Sequence, residues 1–138
     1  ANLGALLMAS GLAYDSDGGR ALAAGITSLL TGAAYKRSAE LAGVDGPYNG
    51  YARNAEAHKR VMRKHLAAND SVRTHTSLDG DVLKLAIKAW QDTVAIGETN
   101  GFRNAQASVL APTGTIGFMM DCDTTGIEPD FSLVKFKK

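Results

Sequence analysis

Apolar residues recur at helical spacing through the first hundred positions, and the pattern stops at Asn100-Gly101. A repeat near 3.6 residues puts those side chains on one stripe of a helix and cannot line one face of a strand. Four helices are predicted. The first, Asn2 to Leu12, is short and ends near Gly11. The second takes its cap from Asp15, Ser16 or Asp17, runs to about Ala42 and stops at Gly43. Its stripe is Leu22, Ile26, Leu29, Leu30, Ala33 and Leu41. Gly25 and Gly32, with Ala21, Ala23 and Ala24, keep it slim enough for close packing. Turn chemistry in Asp45-Gly46-Pro47-Tyr48-Asn49-Gly50 makes a loop. The third helix spans Tyr51 to Ala68 with Ala55, His58, Val61, Met62, His65 and Leu66 inward. The polar stretch Asn69 to Ser77 leads to the fourth, Leu78 to about Gly97, with Val82, Leu85, Ala86, Ala89, Trp90 and Val94 on one side.

Beyond Gly101 the texture changes to short apolar runs separated by turn-rich chain. Ala107 to Leu110, Gly117 to Met120 and Phe131 to Phe136 are predicted as strands. The expected fold class is therefore α/β: mainly helical over residues 1–100, then strand, loop and strand over 101–138. At 138 residues the chain is one domain or part of one. It opens inside an apolar helical pattern (Leu3, Leu6, Leu7) and stops within Val134 to Lys138, which reads as an internal segment of a longer polypeptide. With 45% hydrophobic and 21% charged residues it can bury a core, and a net charge of +1 supplies no field to recruit nucleic acid or a membrane surface. The single cysteine, Cys122, has no internal disulfide partner, which fits a cytoplasmic setting.

The stretch Ala111-Pro112-Thr113-Gly114-Thr115-Ile116-Gly117 is the most informative chemically. Glycines let backbone approach a ligand closely, and free amides with short hydroxyls can surround phosphate oxygens. No Gly-Lys-Ser/Thr follows, so it is not a Walker loop, and the spacing of Gly114 and Gly117 departs from the dinucleotide fingerprint. Taken alone, the hexapeptide Pro112 to Gly117 also suits an ordinary strand-to-helix connection.

Other polar groups have plainer readings. Asp121, Asp123 and Glu128 read as a solvated loop, and no metal site is expected. His58 and His65, seven apart on one helix face, suit ligands or cofactor contacts, but core-edge histidines are preferred. Lys59, Arg60, Arg63 and Lys64 read as a solvated basic face. Trp90 reads as core.

The run Gly101-Phe102-Arg103-Asn104-Ala105-Gln106-Ala107-Ser108-Val109-Leu110-Ala111-Pro112-Thr113-Gly114-Thr115-Ile116-Gly117 resembles the substrate-phosphate loop region of the ribonucleotide reductase large chain. The continuation Phe118-Met119-Met120-Asp121-Cys122-Asp123-Thr124-Thr125-Gly126-Ile127-Glu128-Pro129-Asp130 resembles the adenosylcobalamin-dependent class II branch. So do Asn2 to Met8, Tyr14 to Ala21, His58 to His65 and Phe131 to Lys138.

The resemblance implies a ten-stranded α/β barrel with a central finger loop, this chain lying in its second half. It implies a cytoplasmic oxidoreductase, a ribonucleoside-diphosphate reductase, that replaces a ribose 2′-OH by hydrogen through thiyl-radical chemistry started by adenosylcobalamin. Pro112, Thr113, Gly114, Thr115 and Ile116 would hold the substrate phosphates, with Arg103 and Asn104 in support. Implied partners are the ribonucleotide substrate, a nucleotide effector bound elsewhere in the full chain, a thiol reductant such as thioredoxin and a second copy in a homodimer. Neither nucleic acid nor a membrane is among them. Cys122 lies between Met120 and Thr124 and departs from the family's Asn-x-Cys-x-Glu radical motif. No catalytic residue is therefore expected here, and the segment alone should be inactive. The alternatives are a segment of a class I large subunit and a non-catalytic helical interaction module.

Overall fold

A computed structural model of the chain describes residues 1–130, 132 and 134. The described residues form five α-helices: α1 (Leu3–Ala9), α2 (Asp17–Asp45), α3 (Tyr51–Ala68), α4 (Ser77–Asn100) and α5 (Gly114–Met119), with a 3₁₀ turn at Asn69–Ser71. They fall into two compact units, Ala21–Ser108 and a second made of Ala1–Arg20 with Val109–Lys138.

In the unit Ala21–Ser108, α2, α3 and α4 enclose a core of Tyr35, Ala39, Tyr51, Met62, Trp90 and Phe102. The predicted close approach of α2 is present, on its small-residue side. A Cβ on Gly32 would stand 3.1 Å from the Trp90 ring, and one on Gly25 would stand 3.3 Å from Val82. Leu22 of the predicted stripe is buried and Leu30 is exposed, while Ala21, Tyr35, Ala39 and Ala42 are also buried. Small residues win this face because they admit a bulky aromatic from the facing helix, which fills the volume a leucine would have taken. On α4 the predicted Ala86, Ala89 and Trp90 are buried and Val94 packs against the core, while Leu83, Thr93 and Gly97 are also inward and Leu85 is exposed.

Hydrogen bonds satisfy many of the polar groups this packing buries, though not Tyr51 Oη or His58 Nε2. Trp90 Nε1 donates to the Ser28 carbonyl at 3.1 Å, and the Thr93 hydroxyl donates to the Gly32 carbonyl at 2.9 Å. Ser28 Oγ donates to Asn69 Oδ1, while Asn69 Nδ2 closes the end of α3 on the His65 and Leu66 carbonyls. At the start of α4, Thr76 and Asp79 form a reciprocal capping box. Lys59 and Arg63 of α3 both pair with Glu98 of α4, so part of the basic face is spent on helix–helix ion pairs.

In the other unit, α1 packs on the turn Thr124–Glu128. Asn2 N–H donates to the Thr124 carbonyl at 3.1 Å, and Thr124 N–H donates to Asn2 Oδ1 at 3.1 Å. Ala5 N–H donates to Thr124 Oγ1 at 3.2 Å, and Tyr14 Oη donates to the Ile127 carbonyl at 2.7 Å. A Cβ on Gly4 would overlap the Glu128 carbonyl, so glycine sets this approach.

The expected α/β class and its short C-terminal strands are not found: the described residues contain helices and no strand. A strand exists through its ladder, and no second extended segment among the described residues pairs with Ala107 to Leu110, which is irregular. Gly117 to Met120 is mostly helical instead. Gly117 N–H donates to the Thr113 carbonyl at 2.8 Å, and Met120 N–H donates to the Ile116 carbonyl at 3.1 Å. Those i to i−4 bonds draw the apolar run into α5 and its C-cap. The third expected strand, Phe131 to Phe136, lies outside the described residues apart from Ser132 and Val134.

Candidate functional site

The segment singled out from the sequence is a loop running into the N-terminus of α5. Pro112, Gly114, Thr115 and Ile116 are exposed, Thr113 is half-buried, and Gly117 is buried beneath them. Thr113 occupies the N-cap in the left-handed region, with φ 54 and ψ 36, and makes no side-chain cap bond. Gly114, Thr115 and Ile116 are the first three residues of the helix, so their amides have no carbonyl one turn back to bond. A Cβ on Gly114 would meet no atom within 4 Å, which leaves open space beside these amides.

The underside of the loop is closed. Gly126 N–H donates to Thr113 Oγ1 at 2.6 Å. Gly126 has φ +50, and a Cβ there would stand 2.9 Å from the Ala111 oxygen and 3.0 Å from the Pro112 oxygen. A Cβ on Gly117 would stand 3.1 Å from Thr125 Cγ2. The two threonines of the loop therefore differ. The Thr113 hydroxyl already accepts from Gly126 and retains its own proton to donate, while the Thr115 side chain is exposed. The loop carries no lysine or arginine. What it offers an anion is backbone dipoles and hydroxyls.

Arg103 and Asn104 are engaged within the unit Ala21–Ser108. Arg103 N–H donates to the Ser38 carbonyl at 3.0 Å, and its guanidinium reaches the Gly46 and Pro47 carbonyls at 3.4 and 3.3 Å. Asn104 N–H donates to Ser38 Oγ at 2.8 Å. Both tie the chain after Phe102 to α2 and to the loop that follows it. Cys122 N–H donates to the Gly117 carbonyl at 2.9 Å and so closes the C-terminal end of α5.

His58 is buried and stacks on Phe102, with Nδ1 3.3 Å from the Tyr48 hydroxyl. Burial holds its imidazole below the ordinary histidine value. His65 stacks on Trp90 with centroids 5.0 Å apart, at the edge of the same core. A groove of about 290 Å³ between α2 and α4 has Leu29, Ala33, Leu85 and Ala89 along it. Its cations are paired: Lys36 and Lys88 both bond Asp92, and Arg37 bonds Glu40. The sequence reading missed the turn Thr124–Gly126 as the support of the loop. Its one local signal was a glycine following two threonines, a place suited to positive φ.

The family model described as the barrel domain of ribonucleotide reductase matches residues 1–138. Among curated proteins, the chain is 71% identical to a vitamin B12-dependent ribonucleotide reductase of Streptantibioticus cattleyicolor, covering all of this chain and 23% of that protein. It is 64% identical to the vitamin B12-dependent ribonucleotide reductase of Streptomyces coelicolor, covering all of this chain and 14% of that one. It is 49% identical to the protein of the same description from Agrobacterium fabrum, again over all of this chain and 12% of the relative. The chain thus spans less than a quarter of the length of each of these relatives. Matched from end to end by that domain, it belongs to the ribonucleotide reductase family.

Proposed function

We infer that the chain is the phosphate-holding part of a cobalamin-dependent ribonucleotide reductase that converts ribonucleotides to deoxyribonucleotides. The observation that carries this reading is the row of amides at Gly114, Thr115 and Ile116, without helix partners and beside open space, in a chain of this family. Diphosphate oxygens would accept from these amides and from the Thr113 and Thr115 hydroxyls, while Pro112 stiffens the approach. Anion binding by backbone dipoles needs no reorganisation when substrate arrives, so the ribose is held in one place while its 2′-OH is removed. The wider expectations belong to the same reading: a soluble cytoplasmic enzyme, an effector nucleotide bound elsewhere, a thiol reductant and a homodimer.

Adenosylcobalamin, when bound, supplies the radical that begins the reaction. Buried His58 does not fit as a residue that would hold it. Its Nε2 is enclosed by the core, and its Nδ1 faces the Tyr48 hydroxyl 3.3 Å away. What this chain contributes is binding and orientation at the loop.

The reading is tested with Gly114→Ala in the full-length reductase. The added methyl meets no atom of this chain within 4 Å, so it leaves the chain's own packing intact while entering the space a bound phosphate would take. KM for a ribonucleoside diphosphate should rise about tenfold, equivalent to about 1.4 kcal/mol of lost binding. An unchanged KM would remove the loop from substrate binding.

A further inference from the structure

The bend that opens the loop is imposed from outside it. Threonine is β-branched and takes a left-handed conformation only where its surroundings enforce it. At Thr113 the enforcing group is Gly126, whose amide holds the Thr113 hydroxyl at 2.6 Å. Gly126 reaches that position because it has no Cβ. A methyl there would press on the Ala111 and Pro112 carbonyls, and its φ of +50 disfavours any other residue.

Gly126 is in turn held by what precedes it. Thr124 is 3% exposed and joined to α1 through both its backbone groups and its hydroxyl. The left-handed Asn2, with φ 69, is the matching half of that joint. A continuous run of bonds therefore leads from the start of α1, through Thr124 and Gly126, to the residue before the first free amide of α5.

We propose that Gly126 and Thr124 are positioning residues for the phosphate loop. Gly126 sets the left-handed bend at Thr113, and Thr124 fastens Gly126 to α1. The amides of Gly114, Thr115 and Ile116 then share one direction before any anion arrives. This rests on the reading of the loop as a phosphate cradle and adds the element that preorganises it. Neither residue touches the substrate. Each acts through Thr113. Without the clip, Thr113 relaxes to an ordinary backbone conformation and the amides lose their common aim, which weakens ground-state binding more than the chemical step.

The test uses the full-length, cobalamin-loaded reductase and compares wild type, Gly126→Ala and Gly114→Ala for KM and kcat with a ribonucleoside diphosphate. Gly126→Ala should raise KM about tenfold and leave kcat within about twofold, the change expected for loss of one enforced backbone bend. Gly114→Ala reports on the loop itself. If Gly114→Ala raises KM and Gly126→Ala does not, the clip is overturned and the cradle stands. If neither raises KM, the cradle falls and the clip falls with it. A Gly126→Ala enzyme that loses kcat at unchanged KM also overturns the proposal.

Should Gly126→Ala fail to fold, Thr124→Val replaces it, since it keeps the shape and removes the bond from the Ala5 amide. Thr124→Ser, which restores the hydroxyl, should return KM to the wild-type value. A serine enzyme that behaves like the valine enzyme, or a valine enzyme with normal KM, overturns the role of Thr124.

Discussion

His58 and Phe102 lie ring upon ring, with centroids 4.4 Å apart and planes 5° from parallel. The pair fixes the chain at the point where α4 has ended and the segment toward the loop begins. Phe102 is 1% exposed, and its carbonyl accepts from the Tyr48 amide at 3.0 Å, so ring and backbone are both engaged. Burying a phenylalanine this fully stabilises by about 1.5–3 kcal/mol.

The stack makes stability depend on pH. Burial pushes His58 below its ordinary value, and Nε2 has no hydrogen-bond partner in the core. Around the ring stand Tyr35, Tyr48 and Tyr51, and the burial they provide is what disfavours an imidazolium. The unfolded chain takes up its proton near pH 6.5, whereas the folded chain resists it. Stability is therefore full above about pH 6.5 and falls as pH drops toward the folded value. Urea unfolding across that range should show the decline, and His58→Phe should flatten it. An identical slope in the variant would contradict the assignment.

Phe102 also constrains Gly97. A Cβ at Gly97 would overlap the phenyl ring, which cannot swing away inside a packed core. Gly97→Ala should destabilise by about 1–3 kcal/mol through overpacking. Gly80 lies in the same helix, and a methyl there would meet nothing within 4 Å, so Gly80→Ala should stabilise by about 0.5–1 kcal/mol through backbone entropy. Chemical denaturation of both variants checks the pair, and effects of the same sign would contradict it.

The capping box gives a third outcome. Asp79 is 2% exposed, and burial alone would raise its carboxyl. The bonds from His75 N–H at 2.9 Å and from Thr76 N–H at 2.8 Å, with one from the Thr76 hydroxyl, outweigh this and hold it below the ordinary value. Its stabilisation is present above the unfolded value near pH 3.9 and is lost as pH falls through the folded one. Asp79→Ala should cost about 1–2 kcal/mol at neutral pH and should raise hydrogen exchange first at the start of α4. Exchange unchanged over Thr76 to Asp81 would contradict that role.

Helices α2, α3 and α4 were legible because a period of 3.6 with Ser, Thr and Gly at the ends states a helix directly. Which side of α2 and α4 turns inward was less so. Spacing shows where leucines align, but Gly25, Gly32 and Trp90 decide the contact through complementary volumes on different helices. The expected strands failed because short apolar runs suit either state, and what selects between them is a ladder partner or a local turn. At Thr113 the left-handed bend starts a helix, so Gly117 to Met119 followed that turn. Pro112 to Ile116 stood out through composition alone. Their support did not, because Asn2, Thr124 and Gly126 meet only in space.

The most direct measurement is a structure of the full-length reductase with a ribonucleoside diphosphate bound. Phosphate oxygens should lie about 2.7–3.2 Å from the amide nitrogens of Gly114, Thr115 and Ile116, with Thr113 still left-handed. Phosphates held instead by lysine or arginine side chains, with the space before Gly114 empty, would contradict the account.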